Sequence, residues 1–279
     1  MDQRTSTLIE SELNAIIEAI EKPKTMKARR MVYLLVKQRY QLERQFALEL
    51  DDTFNLVGQR AEQAFRGNLD YYLFGESFKE AGPQDAELAK RILNMLGKIG
   101  LINILKDQYK KFYTTVFQAT YHTVSAGLGV TFNIPDKLAR SVIEQGGKRV
   151  GLLDMSNMTK SHMFDLIKKG RSDGLGPDAI ARSIRDEIPK GPWANSQIRS
   201  DIIAKTETKF AQNTSAIANY KASGVVTGLQ AFDNLVGYND EDCMARDGKV
   251  FSFEDAELET ANEHPNGTLT WAPYTGDEL

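Results

Sequence analysis

Residues 25 to 66 read TMKARRMVYLLVKQRYQLERQFALELDDTFNLVGQRAEQAFR, with no proline and a single glycine, Gly58. Apolar side chains recur there at three- and four-residue steps, the spacing that places them on one face of an α-helix. They are Met31, Leu35, Leu42, Phe46, Leu50, Phe54 and Val57. The pattern predicts one long helix, and it indicates a mainly helical protein.

The flanking sequence extends this helical pattern. Residues 6 to 21 show the same spacing, and Pro23 ends that helix. A second long helix is predicted from Pro83 to about Ala119, with a bend at Gly97 or Gly100. The glycine-punctuated residues 125 to 132 indicate a short strand, an extended turn or a hinge. We therefore expect residues 1 to 130 to form an elongated helical arm or hairpin.

Beyond residue 131 the predicted elements are shorter. Helices are expected from Pro135 to Gly146, over residues 159 to 169 with Gly170 as the stop, and from Pro177 to Ile188. A helix over 200 to 222 follows, and residues 225 to 272 indicate a small β-rich end in which Val250, Phe251 and Phe253 form a strand. The predicted fold class is mainly α with a small α+β C-terminal domain over residues 131 to 279.

Composition excludes several classes of protein. The one cysteine, Cys243, cannot form an intrachain disulfide, and a reducing compartment such as the cytoplasm is the simpler expectation. The N-terminal residues lack the pattern of a signal peptide, and no apolar run approaches the roughly 18 residues of a membrane span. A soluble protein without membrane contact is expected. His122 and His162 have no second ligand at metal spacing.

Charge is distributed unevenly although the net charge is only -3. Residues 22 to 44 contain eight basic residues and one acid, whereas residues 233 to 279 contain twelve acids and two bases. Either stretch could be a solvated face, or the basic one could bind an acidic protein surface or DNA. The candidate contact residues are Lys27, Arg29, Arg30, Lys37 and Arg39.

The helix over 200 to 222 carries an acid among apolar positions. With 100° per residue, Glu207 falls on the same stripe as Ile203, Phe210 and Ile217. A buried carboxylate must be paired or hydrogen-bonded, because an isolated one costs several kcal/mol. Backbone amides or a basic side chain such as Arg199 or Arg246 are the expected donors. Glu207 is interpreted as a structural tie, with a catalytic acid as the alternative.

The order of motifs in the last third resembles the phage Mu F-like head morphogenesis domain over about residues 135 to 272. Gly176 to Arg185 matches the family's Gly-(polar)-x-x-x-Ile-Ala-x-x-(Leu/Ile)-Arg helix. Ala204-Lys205-Thr206-Glu207, with Ala211 and Asn213, matches Ala-Arg-Thr-Glu-x-x-x-Ala-x-Asn apart from lysine for arginine. Asp247-Gly248-Lys249-Val250-Phe251 and His264-Pro265-Asn266 follow in the family's order.

The family's cysteines are mostly missing. Its Cys-x-x-Cys and Cys-x-Cys pairs, a set suited to zinc or to two disulfides, align with Asp240, Cys243, Gly267 and Leu269. With three of four cysteines replaced, we expect no metal and no cofactor. The motif residues Thr206, Glu207, Asn213, Asp247, Gly248, His264 and Pro265 are expected to be structural.

The resemblance implies a minor capsid protein of a tailed bacteriophage, not an enzyme, present in few copies in the virion head at the portal vertex. It implies a role in head morphogenesis and capsid assembly or in DNA ejection, after synthesis in the host cytoplasm. The implied partners are the portal protein, the major capsid protein and packaged DNA. Alternatives are a transient assembly chaperone or scaffold, and an ADP-ribosyltransferase-like enzyme in which Glu207 is the acid.

Overall fold

The computed structural model describes residues 26–68, 83–98, 101–131, 141–142, 153–233, 240–265 and 267–276. Most of these residues are helical, and a small antiparallel sheet lies near the C-terminus. The helices are α1 (Met26–Arg66), α2 (Pro83–Lys98), α3 (Leu101–Leu128), α4 (Leu153–Ser172), α5 (Pro177–Glu187), α6 (Ser196–Ser223), α7 (Glu241–Arg246) and α8 (Phe253–Asn262). The strands are β1 (Gly228–Phe232), β2 (Val250–Phe251) and β3 (Thr270–Tyr274).

The chain divides into two compact units, each built from several segments. One contains residues 1–44, 109–148 and 205–279 and is called the sheet unit below. The other contains residues 45–108 and 149–204 and is called the helical unit. Each unit takes residues from both sides of residue 130, so this division differs from the predicted boundary between an arm and a domain. Helices α1, α3 and α6 each contribute residues to both units.

The helical unit is held by an apolar cluster between parts of α1, α2, α4 and α5. Its fully buried members include Phe65, Ile92, Ile167 and Ile184. Helices α4 and α5 pack closely at Gly170, where a Cβ would lie 2.5 Å from Cγ1 of Ile180. Gly170 therefore lies inside α4 as a contact point, and its prediction as a helix stop is wrong.

The sheet unit contains the three-stranded sheet, in the order β2-β1-β3. In the β1–β3 pair Ala231 is opposite Trp271, and Phe232 is opposite Thr270. The face with Ala231 and Trp271 joins a core cluster with residues of α1, α3, α6 and α8. The other face, with Phe232 and Ala272, packs on α1 through Ala28, Val32 and Val36. Because both faces are covered, β3 is buried at nearly every position.

Several helix predictions are confirmed and others are corrected. Helix α1 begins and ends within one residue of the prediction, and α5 begins at Pro177 as expected. The predicted helix from Pro83 appears as α2 and α3, with residues 99 and 100 outside the description. The short strand or extended turn predicted at 125 to 132 is wrong for residues 125 to 128, which belong to α3, and the alternative of a hinge stays a prediction. A Cβ on Gly127 would lie 2.2 Å from Cε of Met31, so this glycine serves helix packing.

The β-rich end is also more helical than predicted. Val250 and Phe251 form β2, but Phe253 begins α8, because the Ser252 hydroxyl accepts a hydrogen bond from the Asp255 amide and caps that helix. The helices predicted at 6 to 21 and from Pro135 to Gly146, and most of the connection over 67 to 83, lie outside the described residues. Among the helices that the structure describes, none combines the length and apolarity that a membrane crossing needs.

Candidate functional site

The half of α6 in the sheet unit buries many polar side chains in addition to its apolar ones. Eight polar or charged residues between 206 and 219 are almost inaccessible to solvent. They are Thr206, Glu207, Thr208, Lys209, Gln212, Asn213, Ser215 and Asn219. Buried polar groups cost free energy unless they are hydrogen-bonded, so their partners define what this helix does.

Glu207 is fully buried, as its position on the helical wheel predicted. The hydroxyl of Tyr113, on α3, donates a hydrogen bond to its carboxylate oxygen Oε2. Tyr113 is itself 1% exposed and lies 94 positions away in the chain. A tyrosine O–H that binds a buried carboxylate satisfies both groups away from water, and this contact ties α3 to α6.

Two amides of α6 bind backbone carbonyls of neighbouring segments. The Nδ2 atom of Asn213 donates to the carbonyl of Leu269 at 2.9 Å, and Nε2 of Gln212 donates to the carbonyl of Leu35 at 2.8 Å. Leu269 directly precedes β3, and Leu35 belongs to α1. Asn213, one of the motif residues, therefore fixes the start of the last strand on the helix.

Arg39 binds at the same place and is not a surface residue. Its guanidinium donates to the Leu269 carbonyl at 3.3 Å and to Oγ1 of Thr270 at 2.7 Å, and the residue is 7% exposed. Its interpretation as a DNA or partner contact is corrected accordingly. The sequence pattern could not separate it from its neighbours because every basic residue on a long helix looks alike without the packing partner.

Three acids and two bases of the sheet unit form a charged network. Lys209 donates to Oε1 of Glu263 at 3.0 Å and to the His264 carbonyl at 3.1 Å. Arg246 binds Asp233 at 2.6 Å, Glu259 at 2.9 Å, and the second carboxylate oxygen of Glu263. Each of these side chains except Glu259 is at most 12% exposed. Such fork-shaped contacts hold charged groups with defined geometry.

The network sets the charge states of its members. Burial alone would raise the pKa of Glu263, but the charges of Lys209 and Arg246 outweigh it and lower the pKa below its ordinary value. Burial alone would lower the pKa of Arg246, whereas hydrogen bonds and charge from Glu259, Glu263 and Asp233 raise it. Both groups are therefore ionised at neutral pH, and Glu263 and Arg246 form a true ion pair.

Asp247 and Gly248 shape the entry to β2. Oδ1 of Asp247 accepts a hydrogen bond from the Asp233 amide at 3.0 Å, and the Gly248 amide donates to the Ala231 carbonyl at 2.8 Å. Gly248 has φ +84°, a conformation that L side chains rarely adopt. The Asp-Gly pair thus turns the chain from α7 into the sheet.

Asp240, Cys243 and His264 lie together at the start of α7. Oδ1 of Asp240 caps this helix by accepting from the Cys243 amide at 2.9 Å. Sγ of Cys243 lies 3.2 Å from Nε2 of His264, and Oδ2 of Asp240 lies 3.6 Å from the same nitrogen. The side chains of Asp240 and His264 are 37% and 28% exposed, while Cys243 is buried.

The protonation pattern of this cluster follows from its partners. Nδ1 of His264 lies 2.9 Å from the Pro265 carbonyl, and a carbonyl can only accept, so Nδ1 carries the proton and Nε2 has a lone pair in the neutral ring. Burial raises the pKa of the Cys243 thiol to about 11, so the thiol keeps its proton at neutral pH and can donate it to Nε2 of a neutral His264 ring. The amide of Cys243, hydrogen-bonded to Asp240, lowers the pKa of that carboxyl, which is therefore ionised.

The structure places the predicted motif residues as follows. Asn213, Asp247, Gly248 and His264 belong to one connected set of contacts in the sheet unit, and Thr206 and Glu207 are buried in the same helix. Pro265 is exposed, and Asn266 lies outside the description. Sequence reasoning missed Tyr113, Lys209, Asp233 and Glu263, since no short-range pattern marks partners that are distant in the chain.

The basic residues of α1 differ in their exposure to solvent. Arg30, Lys37 and Arg44 are exposed, whereas Arg29 is only partly so. A seven-residue step returns to within about 20° of the same helix face, so these three exposed cations form one line along α1. The backbone of Lys27 lies in α1, and its side chain is outside the description.

Comparisons with known proteins found no matching family model, no matching curated protein and no matching solved structure.

Proposed function

We propose that this protein is a minor head protein of a tailed bacteriophage that acts at the portal vertex in head assembly or genome delivery. The proposal starts from the motif order that resembles the Mu F-like head morphogenesis domain. One observation carries it further: motif segments that are far apart in sequence bind each other directly. Asn213 and Lys209, in the α6 motif, bind the carbonyls of Leu269 and His264 in the C-terminal segment.

These contacts favour a structural role over catalysis. Glu207, the acid that an ADP-ribosyltransferase-like reaction would need, is fully buried against Tyr113. A catalytic acid must reach its substrate within hydrogen-bonding distance. The motif residues of α6 instead satisfy buried polar groups, which is what a small interaction domain needs to hold a defined surface.

The partner-facing surface in this proposal is the exposed line Arg30, Lys37 and Arg44 on α1. One apolar side chain of the same unit, Leu34, lies beside this line with 37% exposure. Mixed basic and apolar character suits a protein partner with an acidic rim, and the portal protein is the partner that the resemblance implies. Packaged DNA is the second partner to test, because phosphates bind lines of exposed lysine and arginine.

The decisive experiment is mass spectrometry of purified phage particles combined with chemical cross-linking. The proposal expects this chain in finished particles at low copy, with cross-links from residues 26 to 66 to the portal protein. Presence during assembly but absence from finished particles would replace the proposal with a transient chaperone or scaffold. NAD consumption by the purified protein that Glu207→Gln abolishes would replace it with an enzyme.

Contact with DNA is tested by fluorescence anisotropy of duplex DNA at several salt concentrations. Replacing Arg30, Lys37 and Arg44 by alanine should weaken binding and lower the salt slope by up to about three, because each lost phosphate contact removes roughly 0.9. The matched control replaces the exposed Arg60, Lys90 and Arg91, which changes the net charge equally. Equal binding by both triple variants would remove DNA from the list of partners.

A further inference from the structure

We propose that Asp240, Cys243 and His264 form a binding site for a single zinc-type divalent cation. The three donor atoms are Oδ2 of Asp240, Sγ of Cys243 and Nε2 of His264, and all lie within 4.8 Å of one another. A carboxylate, a thiolate and an imidazole are the three ligand types that zinc takes in proteins.

Two of the distances between the donors are close to what a tetrahedral ion requires. Zinc bonds of about 2.0 to 2.3 Å at tetrahedral angles separate neighbouring ligands by about 3.3 to 3.6 Å. Nε2 of His264 lies 3.2 Å from the sulfur and 3.6 Å from the Asp240 oxygen. The remaining pair, the sulfur and the Asp240 carboxylate, lies within 4.8 Å, so an ion can bind all three donors after a small movement of these side chains.

The other atoms of the three side chains are already engaged in ways that orient the donors. Nδ1–H of His264 donates to the Pro265 carbonyl at 2.9 Å, which leaves Nε2 as the coordinating nitrogen. Oδ1 of Asp240 caps α7 through the Cys243 amide, which leaves Oδ2 for the ion. These second contacts fix the ligands in the absence of metal, and such support is typical of metal sites.

The charge around the cluster also favours a cation. Four carboxylates, those of Asp233, Asp240, Glu259 and Glu263, lie in or beside the network, against the two cations Lys209 and Arg246. On binding, the sulfur becomes a coordinating thiolate and its proton leaves to solvent. The guanidinium of Arg246, 3.7 Å from the sulfur, can then donate to that thiolate.

A second combination of donors, Asp233, Cys243 and Glu263, is fully buried but is a poorer choice. Both of its carboxylates already bind Arg246, and Glu263 also binds Lys209. A metal there would have to displace buried ion pairs, which are costly to break. In the proposed site the partly exposed side chains of Asp240 and His264 give the ion access and leave a fourth position for water.

Cobalt(II) spectroscopy of the untagged, reduced protein tests the site. Cys243 is the only cysteine in the chain, so any sulfur-to-cobalt charge-transfer band reports on this residue alone. We expect one cobalt ion per chain, visible bands of tetrahedral intensity, and displacement by one equivalent of zinc. Zinc should also raise the apparent Tm of the wild-type protein, since a ligand that binds only the folded state stabilises it.

Three variants and a control make the result specific to the three donors. Cys243→Ser should lose the charge-transfer band, and His264→Gln should bind cobalt at least tenfold more weakly. Asp240→Asn keeps a good helix cap but loses the carboxylate, so it should fold normally and bind more weakly. Asp242→Asn, an exposed acid in the same helical turn, should bind like the wild type. Absence of the band in the wild type, or equal affinity in His264→Gln, would overturn the proposal.

Discussion

The two units bury different kinds of side chain. Of the 18 buried polar or charged residues in the described part of the chain, 15 belong to the sheet unit and three to the helical unit. The helical unit is closed by apolar contacts such as those of Ile167, Ile180 and Ile184. In the sheet unit the same task is shared between an apolar cluster and ion pairs around Arg246.

This difference determines what each unit tolerates. Apolar cores accept substitutions that keep the volume, because hydrophobic contact has little directionality. A buried polar network depends on each partner, because removing one leaves the others unpaired in a low dielectric. We therefore expect the sheet unit to respond most strongly to single changes of charge or hydrogen bonding, and the helical unit to respond to changes of volume.

The largest effect is expected for Arg246→Ala. It leaves the carboxylates of Asp233, Glu259 and Glu263 without their shared cation, which should cost about 3 to 5 kcal/mol of unfolding free energy. Hydrogen exchange measured by mass spectrometry should show faster exchange in peptides of β1, α7 and α8. Arg246→Lys, which keeps the charge but not the fork, should lose less. Unchanged exchange in Arg246→Ala would mean that the network does not stabilise this unit.

A somewhat smaller effect is expected in the helical unit for Ile184→Ala. Ile184 is fully buried in the apolar cluster, and removal of such a side chain costs about 2 to 5 kcal/mol, of which part is the cavity left behind. The conservative Ile184→Val should cost about 1 kcal/mol. Denaturant unfolding with both variants checks this graded dependence on volume. Equal losses for valine and alanine would contradict it.

Asn213→Ala should lower the unfolding free energy by about 1 to 2 kcal/mol, less than Arg246→Ala or Ile184→Ala. The Leu269 carbonyl loses the donor from Asn213 but keeps the one from Arg39, so it is not left unsatisfied. Denaturant unfolding of Asn213→Ala, with Thr214→Ala on the partly exposed neighbouring position as control, measures the contribution of this tie. The interpretation of Asn213 as a tie would fail if the two variants were equally stable.

Sequence patterns predicted the helices correctly where apolar spacing or a proline at the first helical position marks them, as in α1 and α5. An unbroken three- and four-residue apolar spacing predicted α1, and Pro177 at the first helical position predicted α5. Glycines misled the prediction at two positions. Gly127 and Gly170 lie inside helices, at points where a side chain of a neighbouring helix comes too close for a Cβ. Sequence alone cannot distinguish such a glycine from one that ends a helix.

The candidate site was predicted less completely, for a physical reason. The helical wheel predicted that Glu207 is buried, but it could not give Tyr113 as a donor, 94 positions away. Likewise Asp240 and Cys243 are linked by a helix cap that sequence can indicate, whereas the approach of His264, 21 positions after Cys243, depends on tertiary packing. Contacts between distant segments are fixed by the fold as a whole, so single-sequence patterns do not contain them.

The smallest change in unfolding free energy is expected for an exposed ion pair in the helical unit. It can be compared directly with the buried ion pairs of Arg246. Asp178, in the first turn of α5, pairs with Arg66, and its carboxylate is 73% exposed. The Arg66 hydrogen bond lowers the pKa of Asp178, yet solvent screens such a surface pair. Asp178→Asn should therefore leave denaturant unfolding unchanged within error, because asparagine also keeps the helix start polar. A loss comparable to that of Arg246→Ala would show that charge pairing, and not burial of the charges, sets the sensitivity of this protein.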